Sequence, residues 1–321
     1  MRCSVLLPVY NAGEPLREAI ESILCQDEAD FEFLIIEDCS TDGSAAMIRS
    51  YAQADSRIRA IFHRRNAGLA VTLNEGLGEA RSDLVARMDQ DDVALPNRLS
   101  TQIRFLRTHP EVAVAGSYVY HMGRTPDLDH LIRLPVEHES IMDKLPRSNC
   151  LYHPSVMLRR DPILSLGGYR AEFHNAEDYD LWLRTSRVYQ LANIPVPLLR
   201  YRFSATGMTL GKKWQQLLYI QMATVSHRYP DWSIDRVRQQ ATVEFEKLDK
   251  DEKLLDDCIE VNRLEDYADL LVRRAVAELF QQEKDPIALI KKKEIYEFLE
   301  DTTDRCEDVA DVLQNVVVKN S

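Results

Sequence analysis

The stretch Leu84-Val-Ala-Arg-Met-Asp-Gln-Asp-Asp92 joins an apolar run, typical of a buried β-strand, to three carboxylates within four positions. Carboxylates crowded at the tip of a buried strand repel one another, and an uncompensated buried charge is costly, so the cluster favours a bound cation or polar ligand. A hard divalent ion held jointly by protein oxygens and a phosphate fits these ligands. The alternative is a solvated acidic turn that caps a helix beginning near Pro96. The stretch alone leaves both interpretations open.

Strand and helix patterns alternate on the amino-terminal side of this stretch. Strands are predicted at residues 4–10, 31–36, 58–63 and 84–88, with helices between them at residues 16–24, 44–53 and 69–80. Strands that alternate with helices at this spacing imply a parallel sheet with helices on both faces. Ligands of such sheets bind beyond the carboxyl ends of the strands, which is where the acidic cluster lies.

Polar residues follow each of these four predicted strands. Asn11 follows the first strand, Glu37-Asp38 the second, Arg65-Asn66 the third and Asp89-Gln-Asp-Asp92 the fourth. Because the strands are predicted to be parallel, all four groups should lie at one edge of the sheet. A carboxylate there can accept a hydrogen bond from a base or ribose, and a bound ion can neutralise a diphosphate. This edge is therefore a candidate nucleotide site.

The composition argues against several classes of function. A net charge of −12 over 321 residues is unfavourable for nonspecific binding of nucleic acid. Six scattered cysteines without a Cys-x-x-Cys pair suggest neither a zinc cluster nor a disulfide framework. No apolar run reaches the ~18 to 20 residues needed to span a bilayer. We therefore predict a cytoplasmic protein and leave open a peripheral position at the inner face of the membrane.

The chain beyond the acidic cluster continues the α/β pattern less regularly. A helix is predicted to about residue 108, strands at residues 112–120 and 153–158, and a polar, irregular region at residues 123–150. A helix with an acidic first turn begins near Glu177-Asp178. Carboxylates at that position gain from the exposed amides and the helix dipole, so simple capping is one interpretation of the pair.

Seven short motifs now resemble, together and in order, those of family-2 glycosyltransferases with the GT-A fold. They are Pro8-Val-Tyr-Asn11, Glu37-Asp-Cys-Ser-Thr-Asp-Gly43, Arg65-Asn-Ala-Gly-Leu69, Arg87-Met-Asp-Gln-Asp-Asp92, His153-Pro-Ser155, Gly167-Gly-Tyr169 and Glu177-Asp-Tyr-Asp-Leu-Trp-Leu-Arg184. The resemblance covers roughly residues 1–210. It implies an α/β fold with a Rossmann-like mixed sheet and helices on both faces, followed here by an all-α carboxy-terminal segment.

The resemblance also implies a role for each matching position. The nucleotide-sugar would be bound by Pro8, Tyr10, Asn11, Asp38, Asn66, Arg87, Asp89 and Asp91. Asp91 would lie at the ribose, and Asp91 and Asp92 would hold a divalent metal, Mn²⁺ or Mg²⁺. Asp178 would be the catalytic base, with Glu177 as its neighbour. One base and one metal suffice for inverting transfer.

The resemblance further implies the substrates. The donor would be a nucleotide-diphosphate sugar, with UDP as the nucleotide, and the hydroxyl acceptor would be a saccharide, a lipid-linked saccharide or a protein. The process would be biosynthesis of cell-envelope polysaccharide. No Gln-x-x-Arg-Trp segment of processive synthases is present, so transfer of single sugars is expected. A nucleotidyltransferase is disfavoured because no Gly-rich phosphate loop with a lysine follows the first strand.

Two positions depart from the family pattern. Cys39 replaces a glycine after the second strand, so the geometry of that turn is expected to differ. Ser204 stands where relatives often offer a histidine to the metal, so the metal shell is expected to be weaker or completed by water.

The last third of the chain predicts helices. After a helix at residues 212–228, the breaker Tyr229-Pro-Asp-Trp-Ser233 divides a catalytic domain, residues 1–232, from a helical region, residues 233–321. About 70 residues of that region resemble the last helices of the PhoU-like phosphate-transport regulators. Such a fragment would dock on the catalytic domain or form a homodimer.

The same helical region carries acidic residues at helical spacing. Glu265 and Asp269 form one stripe, and Glu300, Asp304 and Asp308 form another. These are either solvated faces or a second metal site. The alternative function is therefore a non-catalytic, metal-binding regulatory or assembly protein that works through these helices.

Overall fold

The computed structural model describes residues 1–122, 129–202 and 210–249. The chain divides into two compact units, Met1–Gly207 with Met222–Ile234, and Met208–Gln221 with Asp235–Ser321. The sheet and the site described below belong to the first unit. Ser204, the PhoU-like stretch and the acidic stripes at Glu265, Asp269, Glu300, Asp304 and Asp308 lie outside the described residues.

The described residues form nine strands and nine α-helices. The strands are β1 (Cys3–Val9), β2 (Phe31–Glu37), β3 (Ile58–Phe62), β4 (Leu84–Arg87), β5 (Val93–Ala94), β6 (Val112–His121), β7 (His130–Ile132), β8 (Met157–Arg159) and β9 (Gln190–Tyr201). The helices are α1 (Pro15–Leu24), α2 (Ser44–Ala54), α3 (Leu69–Glu79), α4 (Arg98–Thr108), α5 (His138–Lys144), α6 (Arg160–Ser165), α7 (Glu177–Thr185), α8 (Leu210–Arg228) and α9 (Ile234–Asp249).

The first half of the sheet is parallel, as the sequence predicts. Strands β3, β2, β1 and β4 are neighbours in that order, and each pair is parallel. Every residue of β1 and β2 is buried, because helices cover both faces of a parallel sheet. The carboxyl ends of these four strands therefore meet at one edge, where the polar segments follow.

The second half of the sheet is mixed. Strand β8 is antiparallel to both β4 and β6, β9 is parallel to β6, and β5 is antiparallel to β9. The mixed sheet flanked by helices confirms the predicted fold class. The 12-residue β9 was not predicted, although it makes the longest pairing in the sheet, nine residue pairs with β6.

Two local predictions are corrected here. The predicted strand at residues 153–158 begins only at Met157, because His153–Ser155 form a 3₁₀ turn in which the Ser155 N–H and hydroxyl both donate to the Tyr152 carbonyl. The region at residues 123–150 is not irregular throughout, since its described part contains β7 and α5. The two elements have only three and seven residues, too few for a hydrophobic period to be visible in the sequence.

Helix α1 shows how the helices attach to the sheet. Its buried residues Leu16, Ala19, Ile20 and Ile23 recur at helical spacing and form one face in the core. Helix α3 lies especially close to β1, because a Cβ atom at Gly76 would collide with the side chain of Leu6. Glycine at that position thus lets the helix approach the strand.

The chain after the sheet is helical in its described part. Helix α8 ends at Arg228 and α9 begins at Ile234, so the predicted break between helices is present at residues 229–233. The division into domains at this break stays a prediction. No helix among residues 1–122, 129–202 and 210–249 is both long enough and apolar enough to cross a membrane.

Candidate active site

The loops after β1 and β2 are fastened to each other. The Asn11 N–H donates to Ser40 Oγ at 3.0 Å, and the Thr41 N–H donates to Asn11 Oδ1 at 2.8 Å. Asn11 has φ 50°, a left-handed conformation that asparagine tolerates better than most residues. Tyr10 is 47% exposed beside this loop, whereas Pro8 is buried within β1. The loop therefore presents the Tyr10 ring at the carboxyl edge of the sheet.

Asp38 organises the loop that opens α3. The carboxylate is 4% exposed and accepts from the backbone N–H groups of Ala67 at 2.7 Å and Gly68 at 2.9 Å. Asn66 is exposed and donates through Nδ2 to the Asp38 carbonyl at 3.2 Å. Both carboxylate oxygens of Asp38 thus already accept hydrogen bonds within the protein. Its contact with a nucleotide base stays a prediction.

His63 is a member of this network that the sequence analysis missed. Its Nδ1 lies 2.6 Å from Asp38 Oδ1, and its Nε2 lies 2.8 Å from Glu75 Oε2. Burial disfavours the charged imidazole, but the two carboxylate contacts outweigh burial and raise the pKa of His63. The side chain is 12% exposed, so it acts by holding Asp38. Its position directly after β3, on the edge that carries the other polar groups, was the available signal.

Cys39 has φ 64°, in the left-handed region that glycine adopts freely. The expected difference from the turn of relatives stays a prediction. A left-handed conformation costs a residue with a Cβ atom about 1–2 kcal/mol, whereas glycine adopts it freely.

Replacement of Cys39 by Gly is expected to raise the free energy of unfolding by up to about 1 kcal/mol, because relief of this cost is partly offset by the greater flexibility of glycine in the unfolded chain. Urea unfolding measures the difference. Cys25, which is exposed at φ −92°, offers the matched control, and Cys25→Gly should not stabilise the protein. A destabilised Cys39→Gly variant would contradict the expectation.

The three carboxylates after β4 converge. One oxygen of each of Asp89, Asp91 and Asp92 lies within 4.8 Å of the others. Asp92 is 1% exposed; its Oδ1 accepts from the Arg202 N–H at 2.7 Å, while Oδ2 is buried and has no hydrogen-bond partner among the described residues. Burial and the neighbouring Asp89 raise the pKa of Asp91, and that of Asp92 well above its usual value. The donor set and the unpaired buried oxygen fit a divalent cation.

Two buried arginines lie beneath this acid cluster. Arg87 forms an ion pair with Asp89, and its Nε has no hydrogen-bond partner among the described residues. Arg98 is fully buried and donates through Nη2 to the Arg87 carbonyl at 2.5 Å. Burial lowers the pKa of Arg98 to about 10, although the Asp92 charge opposes the shift.

The sequence analysis did not single out Arg98. Its place in the helical pattern could have indicated it. Arg98 and Gln102 fall on the same face of α4 as the apolar residues, and this whole face is buried: Arg98, Leu99, Gln102, Ile103 and Leu106. A charged residue on the buried face of a helix needs partners, and the nearest carboxylates in the chain are those that follow β4.

Helix α7 carries the second acidic pair. Glu177 is 5% exposed at the first turn, whereas Asp178 is partly exposed and accepts from Asn149 Nδ2 at 2.9 Å. Asp180 is 1% exposed and pairs with Arg170 and Arg184. Arg184 also donates to the Leu166 carbonyl at 2.8 Å and the Gly168 carbonyl at 2.7 Å. These contacts fix α7 against the preceding turn and so fix the position of Asp178.

The two carboxyl groups of the pair both hold protons more strongly than usual. Burial, and then the charge of Asp178, raise the pKa of Glu177 to about 7. Burial also raises the pKa of Asp178, while the Tyr179 N–H, Arg87 and Asn149 oppose the shift. A carboxylate with a raised pKa is a stronger base, which suits Asp178 to removing a proton from a hydroxyl group.

Glu177 should make the stability of the protein depend on pH. Its folded pKa of about 7 lies above its usual value, so its stabilising effect is complete below pH ~4.5 and is lost as the pH rises through about 7. Glu177→Gln removes this loss. At pH 8 we expect the variant to be more stable than the wild type by about 2 kcal/mol, and at pH 5 by far less.

Urea unfolding of both proteins at the two pH values measures this difference. Glu172, which is exposed five residues earlier, provides a control with the same change of charge, and Glu172→Gln should show no such dependence on pH. The expectation would be wrong if the free energy of unfolding changed between pH 5 and pH 8 by the same amount in the wild type and in Glu177→Gln.

A cavity of about 410 Å³ is lined both by one residue of the acid cluster after β4 and by one residue of the acidic pair of α7. Asp89 lines it from the carboxyl end of β4, and Asp178 lines it from α7. Tyr152 and Tyr201 also line it, with ring centroids 5.2 Å apart in an edge-to-face arrangement. His153 lies at the same wall, with Nε2 2.9 Å from the Tyr169 hydroxyl, and burial keeps its pKa well below the usual value. The structure therefore brings an acid cluster and a candidate base to one cavity.

Known proteins resemble this chain in sequence and in fold. The amylovoran biosynthesis glycosyltransferase AmsE of Erwinia amylovora is 30% identical over 217 residues, which cover 67% of this chain and 81% of that protein. A mannosyltransferase from Pyrobaculum calidifontis, solved in complex with GDP-Man and Mn²⁺, has a TM-score of 0.61 at 16% identity, over 99% of this chain and 86% of that one. TarS of S. aureus, solved in complex with UDP-GlcNAc, has a TM-score of 0.57 at 16% identity, over 99% and 91%.

The two structural likenesses show the fold, and the family follows from the sequence. Residues 4–167, half of the chain, match the family model described as "Glycosyl transferase family 2". The chain therefore belongs to glycosyl transferase family 2 and is a glycosyltransferase with the GT-A fold.

Proposed function

We propose that this enzyme transfers a sugar, with inversion, from a nucleotide-diphosphate sugar to a hydroxyl group, with the help of a divalent metal ion. One observation carries the proposal. Asp89 of the acid cluster and Asp178 of α7 line the same cavity, so a donor diphosphate near the first would face a base at the second.

The proposed reaction transfers one proton, forms one bond and breaks another. Asp178 accepts the proton of the acceptor hydroxyl as the hydroxyl oxygen forms its bond to C1 of the donor sugar. The bond between C1 and the diphosphate oxygen breaks, and its electron pair stays on the diphosphate. A bound Mn²⁺ or Mg²⁺ would neutralise the charge that develops there. Attack from the face opposite the leaving group inverts the configuration at C1.

The residues that would hold the metal are Asp91 and Asp92, with Asp89 beside them. The unpaired Oδ2 of Asp92 is the ligand atom that the protein leaves free. Bound Mn²⁺ in the mannosyltransferase from Pyrobaculum calidifontis supports the use of a divalent ion here. Because the two carboxyl groups hold protons more strongly than usual, metal binding should release protons and weaken as the pH falls.

The donor nucleotide would lie at the edge formed by Tyr10, Asn11, Asp38 and Asn66, with Asp91 at the ribose. The exposed ring of Tyr10 offers a surface on which a base can stack. We favour UDP because the S. aureus TarS complex contains UDP-GlcNAc, and GDP is the competing nucleotide because the mannosyltransferase contains GDP-Man. Arg87, which forms an ion pair with Asp89, would lie near the nucleotide.

The relatives support a setting for the reaction. The name of AmsE places that protein in amylovoran biosynthesis, and we propose polysaccharide biosynthesis for this enzyme, in the cytoplasm or at the inner face of the membrane, with one sugar added per event. The division into residues 1–232 and 233–321, and a homodimer through the helical region, stay predictions.

A panel of nucleotide sugars tests the function without knowledge of the acceptor. The purified chain should slowly hydrolyse its donor in the presence of Mn²⁺, and EDTA should abolish the reaction. UDP with Mn²⁺ should raise the melting temperature more than GDP with Mn²⁺. The anomer released first, read by NMR, should be inverted relative to the donor. Failure to bind either nucleotide and to hydrolyse any of the nucleotide sugars would contradict the proposal, and a retained anomer would contradict inversion.

A further inference from the structure

Two cationic side chains line the wall of the cavity in addition to the acidic residues. Arg133 and Lys144 line the cavity together with Asp178 and Asn149. Both cations are exposed, and neither forms an ion pair with the described residues. The nearby cations of β9 and its end differ in this respect, since Arg200 pairs with Asp129 and Arg202 with Glu18. In the described part of a chain of net charge −12, no carboxylate therefore neutralises Arg133 or Lys144.

A single buried asparagine holds the two segments of this wall in place by hydrogen bonds. Asn193 in β9 is 0% exposed, and its Nδ2 donates to the Pro135 carbonyl at 2.7 Å and to the Cys150 carbonyl at 3.0 Å. The Asn193 N–H also donates to the Val136 carbonyl at 3.0 Å. The segment after Arg133 and the segment before Leu151 are thereby tied to the same strand. The cations are thus carried on segments that the sheet fixes beside the cavity.

The rest of the wall suits a sugar. Leu151 and the rings of Tyr152 and Tyr201 provide apolar surface, on which the C–H face of a sugar ring can pack. Asn149 holds Asp178 at 2.9 Å, so the candidate base and the Lys144 segment are linked by one hydrogen bond. A molecule in this cavity would meet a base, an apolar face and two positive charges.

We propose that the acceptor carries an anionic group, a phosphate or a carboxylate close to its reacting sugar, and that Arg133 and Lys144 bind this group. The inference rests on the proposed function, because it assigns the cavity beside Asp178 to the acceptor. Arginine can donate two parallel N–H groups to two oxygens of a phosphate or carboxylate, and lysine adds a point charge. A neutral glycan would gain no ion pair from either side chain, and both charges would stay solvated by water. The two cations thus make anionic acceptors the preferred substrates.

Binding of simple probes to the full chain tests the proposal. The chain is first saturated with UDP and Mn²⁺ so that the donor site is filled. Calorimetry then measures the binding of octyl diphosphate, octyl glucuronide and octyl glucoside. Arg133→Ala and Lys144→Ala should each weaken binding of an anionic probe about tenfold, and the double variant about a hundredfold. Binding of octyl glucoside should change by less than about twofold, because it carries no charge.

The pattern across probes identifies the source of the anion. Loss confined to octyl diphosphate indicates a phosphate-linked acceptor, and loss confined to octyl glucuronide indicates an acidic sugar. Arg147→Ala is the matched control, since Arg147 is exposed in the same segment but does not line the cavity. The melting temperature of each variant, measured alongside, establishes that it is folded.

Two outcomes overturn the inference. One is failure of both anionic probes to bind the wild type, and the other is equal weakening of all three probes by the substitutions. Mn²⁺-dependent hydrolysis of a nucleotide sugar by the wild type separates the two proposals. If hydrolysis is present and anion binding is absent, the acceptor inference alone fails; if hydrolysis and UDP binding are both absent, the proposed function fails as well.

Discussion

Replacement of Asp178 by Asn is expected to lower kcat for sugar transfer by about 10³-fold, because it removes the group that takes the proton from the attacking hydroxyl. The change is nearly isosteric, and Asn can still accept the 2.9 Å hydrogen bond from Asn149 through its Oδ1. The fold and the donor site should therefore be kept. Until an acceptor is known, Mn²⁺-dependent hydrolysis of the donor measures the effect, with water as the acceptor.

The pH profile adds a second readout of the same base. Because burial raises the pKa of Asp178, activity of the wild type should fall with decreasing pH through a limb above the usual range of an aspartate. At Mn²⁺ concentrations that saturate the enzyme over the whole pH range, Asp178→Asn should lose that limb from its residual activity. Asp143→Asn, an exposed substitution on α5 outside the cavity lining, is the control and should keep full activity. An Asp178→Asn variant with undiminished kcat would exclude this residue as the base.

Replacement of Asp92 by Asn should have effects of opposite sign on activity and on stability. Activity should fall about 10³-fold, because stabilisation of the leaving diphosphate by a metal is worth several kcal/mol. Without metal, however, the variant should be more stable than the wild type by about 1–2 kcal/mol, because a carboxylate that is 1% exposed beside Asp89 and Asp91 no longer has to be buried. The Asn Oδ1 can still accept from the Arg202 N–H.

Melting temperatures with and without Mn²⁺ measure this reversal. The wild type should gain stability from Mn²⁺ by mass action, whereas Asp92→Asn should gain little at the same concentration. Asp161→Asn changes the formal charge equally at an exposed position on α6 and should behave as the wild type does. Retention of Mn²⁺-dependent activity and of the thermal shift in Asp92→Asn would place the metal elsewhere.

The parallel half of the fold was predictable because its signals are local. Each of β1, β2 and β4 is an apolar run flanked by turn residues, and a helix with one buried face follows each of β1 and β2. Parallel strands joined by such helices place their carboxyl ends together, so the polar residues after them could be assigned to one edge. Hydrogen bonds from the Asn11 loop to Ser40 and from Asn66 to Asp38 now join these segments.

The mixed half of the sheet was not predictable in this way. Strand β8 has three residues, too few to show a period, and its partners lie far away in the chain: Ala86 pairs with Met157, and Ala115 pairs with the same residue from the other side. The longest strand, β9, contains Pro195 and Pro197, which interrupt the usual pattern of a strand, and the register of β6 with β9 shifts beside Pro197. Such pairings are chosen by packing over long sequence separations.

The sequence by itself determined which groups are present and in what order: the carboxylates at 89–92, the pair at Glu177 and Asp178, and the fold class that places the first of them at a sheet edge. Tertiary structure alone decided how those groups behave. It enclosed Asp38 among hydrogen-bond donors, set Arg98 beneath the acid cluster, and brought Asp89 and Asp178 to one cavity with Arg133 and Lys144. The reason is physical: proton affinity and charge pairing depend on burial and on neighbours in space, and these neighbours come from segments up to about a hundred residues apart.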